Sequence, residues 1–298
     1  MRLLETHRRS VLSLVLLAIL GTSVLAAWAL VELSQAPVAR AQDILGRIRR
    51  ETLAHYWPSE ASTRWYLIQD RNGRAVGYVV YMRRPSPDGF SGVVVHRLGD
   101  EHHGESWGLD PAATQGVYVA TVGGRPLPDT QILLRDGQVT VIRPQPARTE
   151  QAVEPAPGNY IPEGLAHLVI AEVAKTSAKA RFCLVVNAES IAGSQLRFTP
   201  VTMSPQGTGK VRVRTDFLEG VSEEVYHLDA KGEVFRIDDQ TTGATMRLID
   251  LHSLARDFPE VLDVQRSLEE GFRQPADELD ADQRELPLSP DSLEAALY

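Results

Sequence analysis

Cysteine is almost missing from this chain: of 298 residues, only Cys183 carries a thiol. An intramolecular disulfide is therefore excluded, and stability must come from packing. Cys183 lies in Arg181-Phe182-Cys183-Leu184-Val185-Val186, where apolar neighbours raise a thiol pKa and favour a buried hydrophobe over a nucleophile. Positive charge is also in deficit, with 31 Lys and Arg against 39 Asp and Glu and a net charge of −8. Phosphate binding needs a basic surface, so no nucleic-acid partner is expected. Most of this deficit is local. Residues 274–298 hold seven acidic residues and one basic residue, or −6, which is the composition of a disordered acidic tail.

One feature is present in full: an uncharged apolar run. Val11–Val31 gives 21 consecutive positions without a charge, enough helix to span about 30 Å of hydrocarbon. Arg2, Arg8 and Arg9 precede the run, and Glu32 is the first charge after it. The positive-inside rule then keeps the N-terminus in the cytoplasm and sends the following residues across. A cleaved signal has an apolar core of about 7–15 residues, so this length favours a retained anchor. Ala39-Arg40-Ala41 is nonetheless a small-x-small pattern, which leaves cleavage after Ala41 open.

Beyond the anchor, Ala41, Ile44, Leu45 and Ile48 fall at i, i+3, i+4 and i+7, which is helical spacing with Arg47, Arg49 and Arg50 on other faces. The period then changes to two. Trp65–Ile68 and Val76–Tyr81 flank Asp70-Arg71-Asn72-Gly73, a strong hairpin signal. Gly92–His96, Gly116–Val122, Gln131–Leu134 and Gln138–Ile142 read as further strands of an antiparallel meander. Pro144, Pro146, Pro155 and Pro157 mark a linker or extended crossover. A helix is expected over 162–175, with Pro162 in its first turn and Glu163 at its positive dipole end. Strands return over 182–186, 196–201, 210–217, 225–228, 233–237 and 245–249, followed by helix from His252 to Phe272, broken near Pro259. Tyr66-to-Val76 and Tyr226-to-Val234 share an aromatic, an Asp-x-x-Gly turn and an apolar return, as two related halves or two generic hairpins would.

The fold class expected is α+β, mainly β: an N-terminal transmembrane helix, then a strongly bent antiparallel sheet, half-barrel-like, with one or two packed helices. Its parts are a cytoplasmic 1–9, an anchor at 10–31, a juxtamembrane 32–63, a β domain at 64–250, a helical 251–273 and the tail 274–298.

Several motifs carry chemistry on paper. Gly104-Glu105-Ser106-Trp107-Gly108 matches the G-x-S-x-G nucleophile elbow, which requires a strand before the serine and a helix after it. Leu109-Asp110-Pro111 follows instead, so Ser106 is a weak catalytic candidate and a turn between strands suits it better. His102 and His103, with His96, Glu101 and Glu105, form the densest set of possible metal ligands. A loop of solvated polar residues is the plainer reading, and no cofactor is expected. Gly207-Thr208-Gly209-Lys210 fails as a phosphate loop, because Ser204 stands where the first glycine belongs and Val211 follows the lysine. Lys210, Arg212 and Arg214 share one face of a strand, either a solvated outer face or a strip for anionic headgroups. Trp65, Tyr78, Trp107 and Tyr118 are candidates to line the sheet's concave side and hold an apolar ligand.

Trp65-Tyr66 followed by Gly73-Arg74-Ala75-Val76-Gly77-Tyr78 resembles the opening of uncharacterised bacterial periplasmic β proteins. The order of elements over residues 63–250 is similar to the LolA-like superfamily, curled sheets with helices against the concave side, some of which carry lipoproteins or lipids. The resemblance implies that fold and transfers no catalytic residue. It leads to a single-pass inner-membrane protein with a periplasmic domain that binds an apolar ligand, possible lipid included, or an envelope protein. The alternatives are a hydrolase using Ser106 or the His102/His103 cluster, and a structural adaptor in a membrane complex whose acidic tail recruits a partner.

Overall fold

A computed structural model describes residues 35–122, 130–145, 148–186, 191–192 and 195–271. The apolar run 11–31 and the acidic tail 274–298 lie outside the described residues. Among the described residues, no helix is long and apolar enough to cross a membrane.

Fourteen antiparallel strands form one sheet. Its first half is a continuous meander: β1 (Ser62–Gln69), β2 (Ala75–Ser86), β3 (Gly89–Leu98), β4 (Glu101–Leu109), β5 (Gly116–Val122), β6 (Thr130–Arg135), β7 (Gln138–Gln145) and β8 (Arg148–Pro155). After a crossover come β9 (Ala180–Leu184), a small separate hairpin of β10 (Ile191–Ala192) and β11 (Gln195–Leu196), and then β12 (Thr199–Pro205), β13 (Lys210–Phe217), β14 (Gly220–Leu228), β15 (Val234–Asp239) and β16 (Thr245–Ile249). The last strand returns to pair with the first, Tyr66 opposite Leu248, so β8 and β9 become the two edges. These edges approach each other. Ile132, Val139, Val141 and Ala152 from the β8 side share one buried cluster with Tyr160, Cys183 and Leu196 from the β9 side. Asn159–Ile161 also runs parallel to β9, with Ile161 N–H donating to Cys183 O at 3.0 Å. The sheet is thus curled on itself, in keeping with the bent architecture expected.

The hairpins fold for local reasons. Asp70 Oδ1 accepts from Asn72 N–H (2.8 Å) and Arg74 N–H (3.0 Å), and Asp229 Oδ1 accepts from Lys231 N–H (2.8 Å) and Glu233 N–H (2.9 Å). Gly73 (φ +77°) and Gly232 (φ +80°) supply the left-handed residue each turn requires.

Two strands depart from the sequence reading. The stretch expected as a linker or crossover is largely strand among the described residues: β7 continues to Gln145 and β8 pairs with it, Gln138 opposite Pro155. Pro155 is tolerated because β8 is an edge, and Pro144 lies beyond Ile142, where the pairing of β7 with β6 ends. Residues 101–109 are neither loop nor turn but the strand β4, paired on both sides.

Among the described residues, five helices accompany the sheet: α1 (35–51), α2 (Leu53–Tyr56), α3 (Ala166–Ala174), α4 (Leu251–Leu254) and α5 (Val261–Gly271). Ala41, Ile44, Leu45 and Ile48 of α1 are all buried, so this face packs on the domain as its spacing predicts. α3 is shorter than expected. Leu165 is its N-cap, and Glu163 precedes the helix rather than occupying its dipole end.

The two faces of the sheet are packed differently. On the inner face, α3 and α1 join Phe182, Val201, Met203, Val211 and Val213 in the largest core. On the outer face, α4 and α5 bring Leu254, Val261 and Leu268 onto Trp65, Leu67, Tyr78, Val80 and Val95. Glu172 of α3 is only 3% exposed and joins the two inner helices, accepting from Arg47 Nη2 at 3.0 Å and from Lys175 Nζ at 2.5 Å.

Candidate functional site

Strand alternation decides what reaches the concavity. In β4, Glu101, His103, Glu105, Trp107 and Leu109 fall on the inner face, and His102, Gly104, Ser106 and Gly108 on the outer. Cross-strand register extends the inner row: Tyr81 opposes Val94, Val94 opposes Glu105, and Glu105 opposes Ala120. One step along, His96 opposes His103; on the other side, Trp107 opposes Tyr118.

Trp107 divides the interior. Its indole lies against two glycines: a Cβ on Gly92 would stand 2.3 Å from the ring and one on Gly164 2.5 Å from it. Trp57 packs at 5.6 Å between ring centroids, with Phe90 behind it at 5.1 Å. That end of the concavity is filled.

Beyond Trp107 the lining is polar and aromatic. Tyr118 O–H donates to the Glu105 carboxylate, and His96 Nε2 lies 3.6 Å from Glu105 Oε1. From the turn before α3, Glu163 enters the same space and accepts from Tyr160 O–H at 2.7 Å. His167 of α3 lies between strands from the two halves of the sheet, its ring 4.8 Å from Tyr81 and 6.1 Å from Tyr226. Tyr226 O–H donates to Glu224 Oε2 at 2.9 Å.

Burial sets the electrostatics. It pushes the carboxyls of Glu105 and Glu163 each up to about 7, against the hydrogen bonds from Tyr118 and Tyr160 that favour the charged forms. Each carboxyl also feels the other's neighbourhood: the charge of Glu105 raises Glu163, and both raise the Tyr118 hydroxyl. His96 is pulled down to about 4 by burial and by His103, and His167 to about 4 by burial and by Arg64 and Arg83. Although His96 and Glu105 are within ion-pair distance, burial drives both toward their neutral forms, so at pH 7 they are not a charged pair. Yet 33% of the His96 side chain and 34% of Glu105 remain accessible. A side chain is both accessible and desolvated when it lines a concavity walled by protein.

The sequence candidates distribute as follows. Tyr118 stands at this lining. Trp107 is on the inner face but buried as a packing residue. Trp65 and Tyr78 are on the outer face beneath α4 and α5, Tyr78 meeting Phe258 at 5.5 Å, and so do not line the concavity. Ser106 is 3% exposed and opposes Val93 on the outer face, away from His96 and His103; a strand runs through it, so the elbow geometry is not formed. His102 and His103 point to opposite faces, and among the described residues no three His, Cys, Asp or Glu side chains converge as metal ligands. Lys210, Arg212 and Arg214 lie on the outer face of β13 and are exposed, with Arg212 3.1 Å from Glu223 and Arg214 2.8 Å from Asp216. Cys183 is buried, its thiol pushed up to about 12.

Tyr81, Glu163, His167, Tyr226 and Glu224 were not singled out as site residues. The signal for Tyr81 and Tyr226 was their in-facing parity within strands that the sequence did predict. Glu163 and His167 gave no such signal, because only the crossover geometry places them inside.

No family model matches the chain, and no curated protein matches it. Among solved structures it is similar to a β-barrel-like protein of a domain of unknown function, DUF1849, from Brucella abortus, at 13% identity and a TM-score of 0.42, covering 63% of this chain and 95% of that one.

Proposed function

We propose that this chain is a membrane-anchored, extracytoplasmic, non-catalytic binding protein that holds a small amphipathic ligand on the inner face of its curled sheet. The observation that carries this is the mixed state of Glu105 and His96, each one-third accessible yet governed by burial. Tyrosine faces supply apolar contact area, and carboxyl and imidazole groups supply the few polar anchors that fix orientation. A ligand with an apolar body and a polar end fits such a wall better than a wholly apolar one. The uncharged run 11–31 supports attachment to the bacterial inner membrane with the N-terminus inside. Ala41 supports a retained anchor, since cleavage after it would cut through α1, whose buried face belongs to the largest core.

Displacement of a neutral solvatochromic dye tests the reading. Nile red should gain fluorescence with the wild-type chain and lose most of that gain with Ala120→Phe, which places a ring beside Glu105. Circular dichroism confirms that the variant is folded. Equal dye binding by the folded variant would place the ligand elsewhere and overturn the proposal.

A further inference from the structure

We propose that Arg83, with Arg64 and Ser62 beside it, binds a phosphate group, free or carried on a lipid headgroup, at the rim of the sheet where β1 begins. The site stands at the filled end of the concavity, apart from the wall around Glu105. Strand register builds it. Ser62 opposes Arg83 and Arg64 opposes Tyr81, so the two arginines are diagonal neighbours on the inner face. From Arg84 onward β2 pairs with β3 alone, which leaves Arg83 at the rim. Its guanidinium lies 4.8 Å from the centroid of the Trp57 ring. Among the described residues it forms no hydrogen bond and no ion pair, since Glu233, the carboxylate on this side, is held by Arg64. Two guanidinium groups therefore share one carboxylate. Arg83 Nε is sealed from solvent without a partner, whereas the two Nη nitrogens remain accessible. Burial, and then the charge of Arg64, pull the guanidinium down to about 10. A half-buried cation without a counter-charge is costly, and an arriving anion removes that cost.

The donor set selects the anion. Trp57 restrains the Arg83 guanidinium, and its Nη nitrogens present a fork that matches two oxygens of an oxyanion. Ser62 and Arg64 add donors from the neighbouring strand. A carboxylate would be satisfied by the fork alone, whereas a tetrahedral phosphate has further oxygens for the hydroxyl and the second arginine. The apolar run ends at Val31 and α1 begins at 35, so under the anchored reading above the domain is held close to phospholipid headgroups; the site itself does not depend on that reading.

Isothermal titration of the full chain in non-ionic micelles with inorganic phosphate, short-chain phosphatidylglycerol and acetate tests the site. At least one of the two phosphate compounds should bind saturably and about tenfold or more tightly than acetate, and Arg83→Gln should weaken that binding by about tenfold or more. If Arg83→Gln fails to fold, Arg83→Lys keeps a cation over Trp57 but lacks the fork, and should still weaken binding by about threefold or more. Binding of inorganic phosphate alone would support the site with a soluble anion as its ligand; binding of phosphatidylglycerol alone would support it with a headgroup. Acetate bound as tightly as phosphate, no saturable binding of either phosphate compound, or unaltered affinity in the folded Arg83 variant would overturn the assignment. The Nile red reading of the inner wall would stand in each of those cases, because Ala120→Phe and Arg83→Gln act at different places on the sheet.

Discussion

The two halves of the sheet differ in what covers their outer faces. In the second half, β9 and β12–β13 turn Phe182, Val201, Met203, Val211 and Val213 inward against α3, each 6% exposed or less. Their outer face is solvated and charged, with Lys210, Arg212 and Arg214 on β13 and Glu223 beside them on β14. In the first half, β1–β3 bury Trp65, Leu67, Tyr78, Val80 and Val95 on the outer face beneath α4 and α5. Here the inner face keeps Tyr81, His96 and Glu105 partly accessible. The inner helices α1 and α3 therefore meet both halves, whereas α4 and α5 cover the outer face of the first half. Tyr66, Val79, Val94 and Trp107 are buried on the inner face of the first half as well, and the partly accessible lining there is confined to the neighbourhood of Tyr81, His96 and Glu105.

Deleting apolar bulk from the filled wall should have the largest effect. Phe182→Ala, in a fully packed site, is expected to cost about 3–5 kcal/mol in chemical denaturation. Tyr118→Phe on the open wall removes one hydroxyl and should cost no more than about 1.5 kcal/mol. Comparable losses at the two positions would mean that the first-half wall is packed after all. Gly164→Ala comes next. Its φ of +89° and the 2.5 Å approach to Trp107 both oppose a Cβ, and a loss of about 1–3 kcal/mol is expected.

The comparison also bears on what the sequence made legible. Hairpins such as Asp70–Gly73 and Asp229–Gly232 are local, and their turn residues state their geometry without help from the rest of the fold. The closure of β16 onto β1 brings together residues far apart in the chain, and no local pattern encodes it. β8 was hidden by the prolines around it, and its own Pro155 is accepted by an edge strand. β4 was hidden for a reason tied to the site. Glu101, His103 and Glu105 fall on the inner face, while His102, Gly104 and Ser106 occupy the other, so neither face shows the apolar alternation that marks a strand. Local rules fail most informatively where the fold serves something other than its own packing. Glu105, one of the polar residues that make β4 read as a solvated loop, stands in the candidate site.

The pH dependence of stability sharpens the comparison further. A carboxyl whose folded pKa is raised from 4.5 to about 7 holds its proton longer folded than unfolded, so its contribution to stability falls as pH rises through that window. A histidine lowered from 6.5 to about 4 does the reverse, and stability rises with pH between those values. In wild type the two trends oppose each other. The Glu105→Gln, Glu163→Gln double variant retains only the histidine trend. Its thermal stability relative to wild type should increase steadily from pH 4.5 to about 7 and level off above that. A difference independent of pH would show that these carboxyls are solvated like surface groups.

A smaller change, of opposite sign, is expected beneath α4. The Tyr78 hydroxyl is buried without a hydrogen-bond partner, so its desolvation is uncompensated. Tyr78→Phe should be neutral or stabilise by up to about 1 kcal/mol, provided the ring keeps its contacts with Trp65 and Phe258. A clear loss would reveal a polar partner on the outer face of the first half and weaken the contrast drawn between the two sides.

The smallest effect belongs to the charged outer face of β13. Arg212 and Arg214 remain 47% and 52% exposed even while paired with Glu223 and Asp216, and exposed pairs of this kind contribute little. Arg212→Ala should shift stability by no more than about 0.5 kcal/mol. The strip can therefore be neutralised without unfolding the domain, which makes its interaction with anionic lipid directly measurable. Co-sedimentation of the Lys210→Ala, Arg212→Ala, Arg214→Ala variant with phosphatidylglycerol vesicles should match wild type if this face is only solvated. A marked, salt-sensitive fall in binding would instead assign a headgroup contact to it, because screening by salt acts on exposed charges and leaves the buried wall on the other side of the sheet untouched.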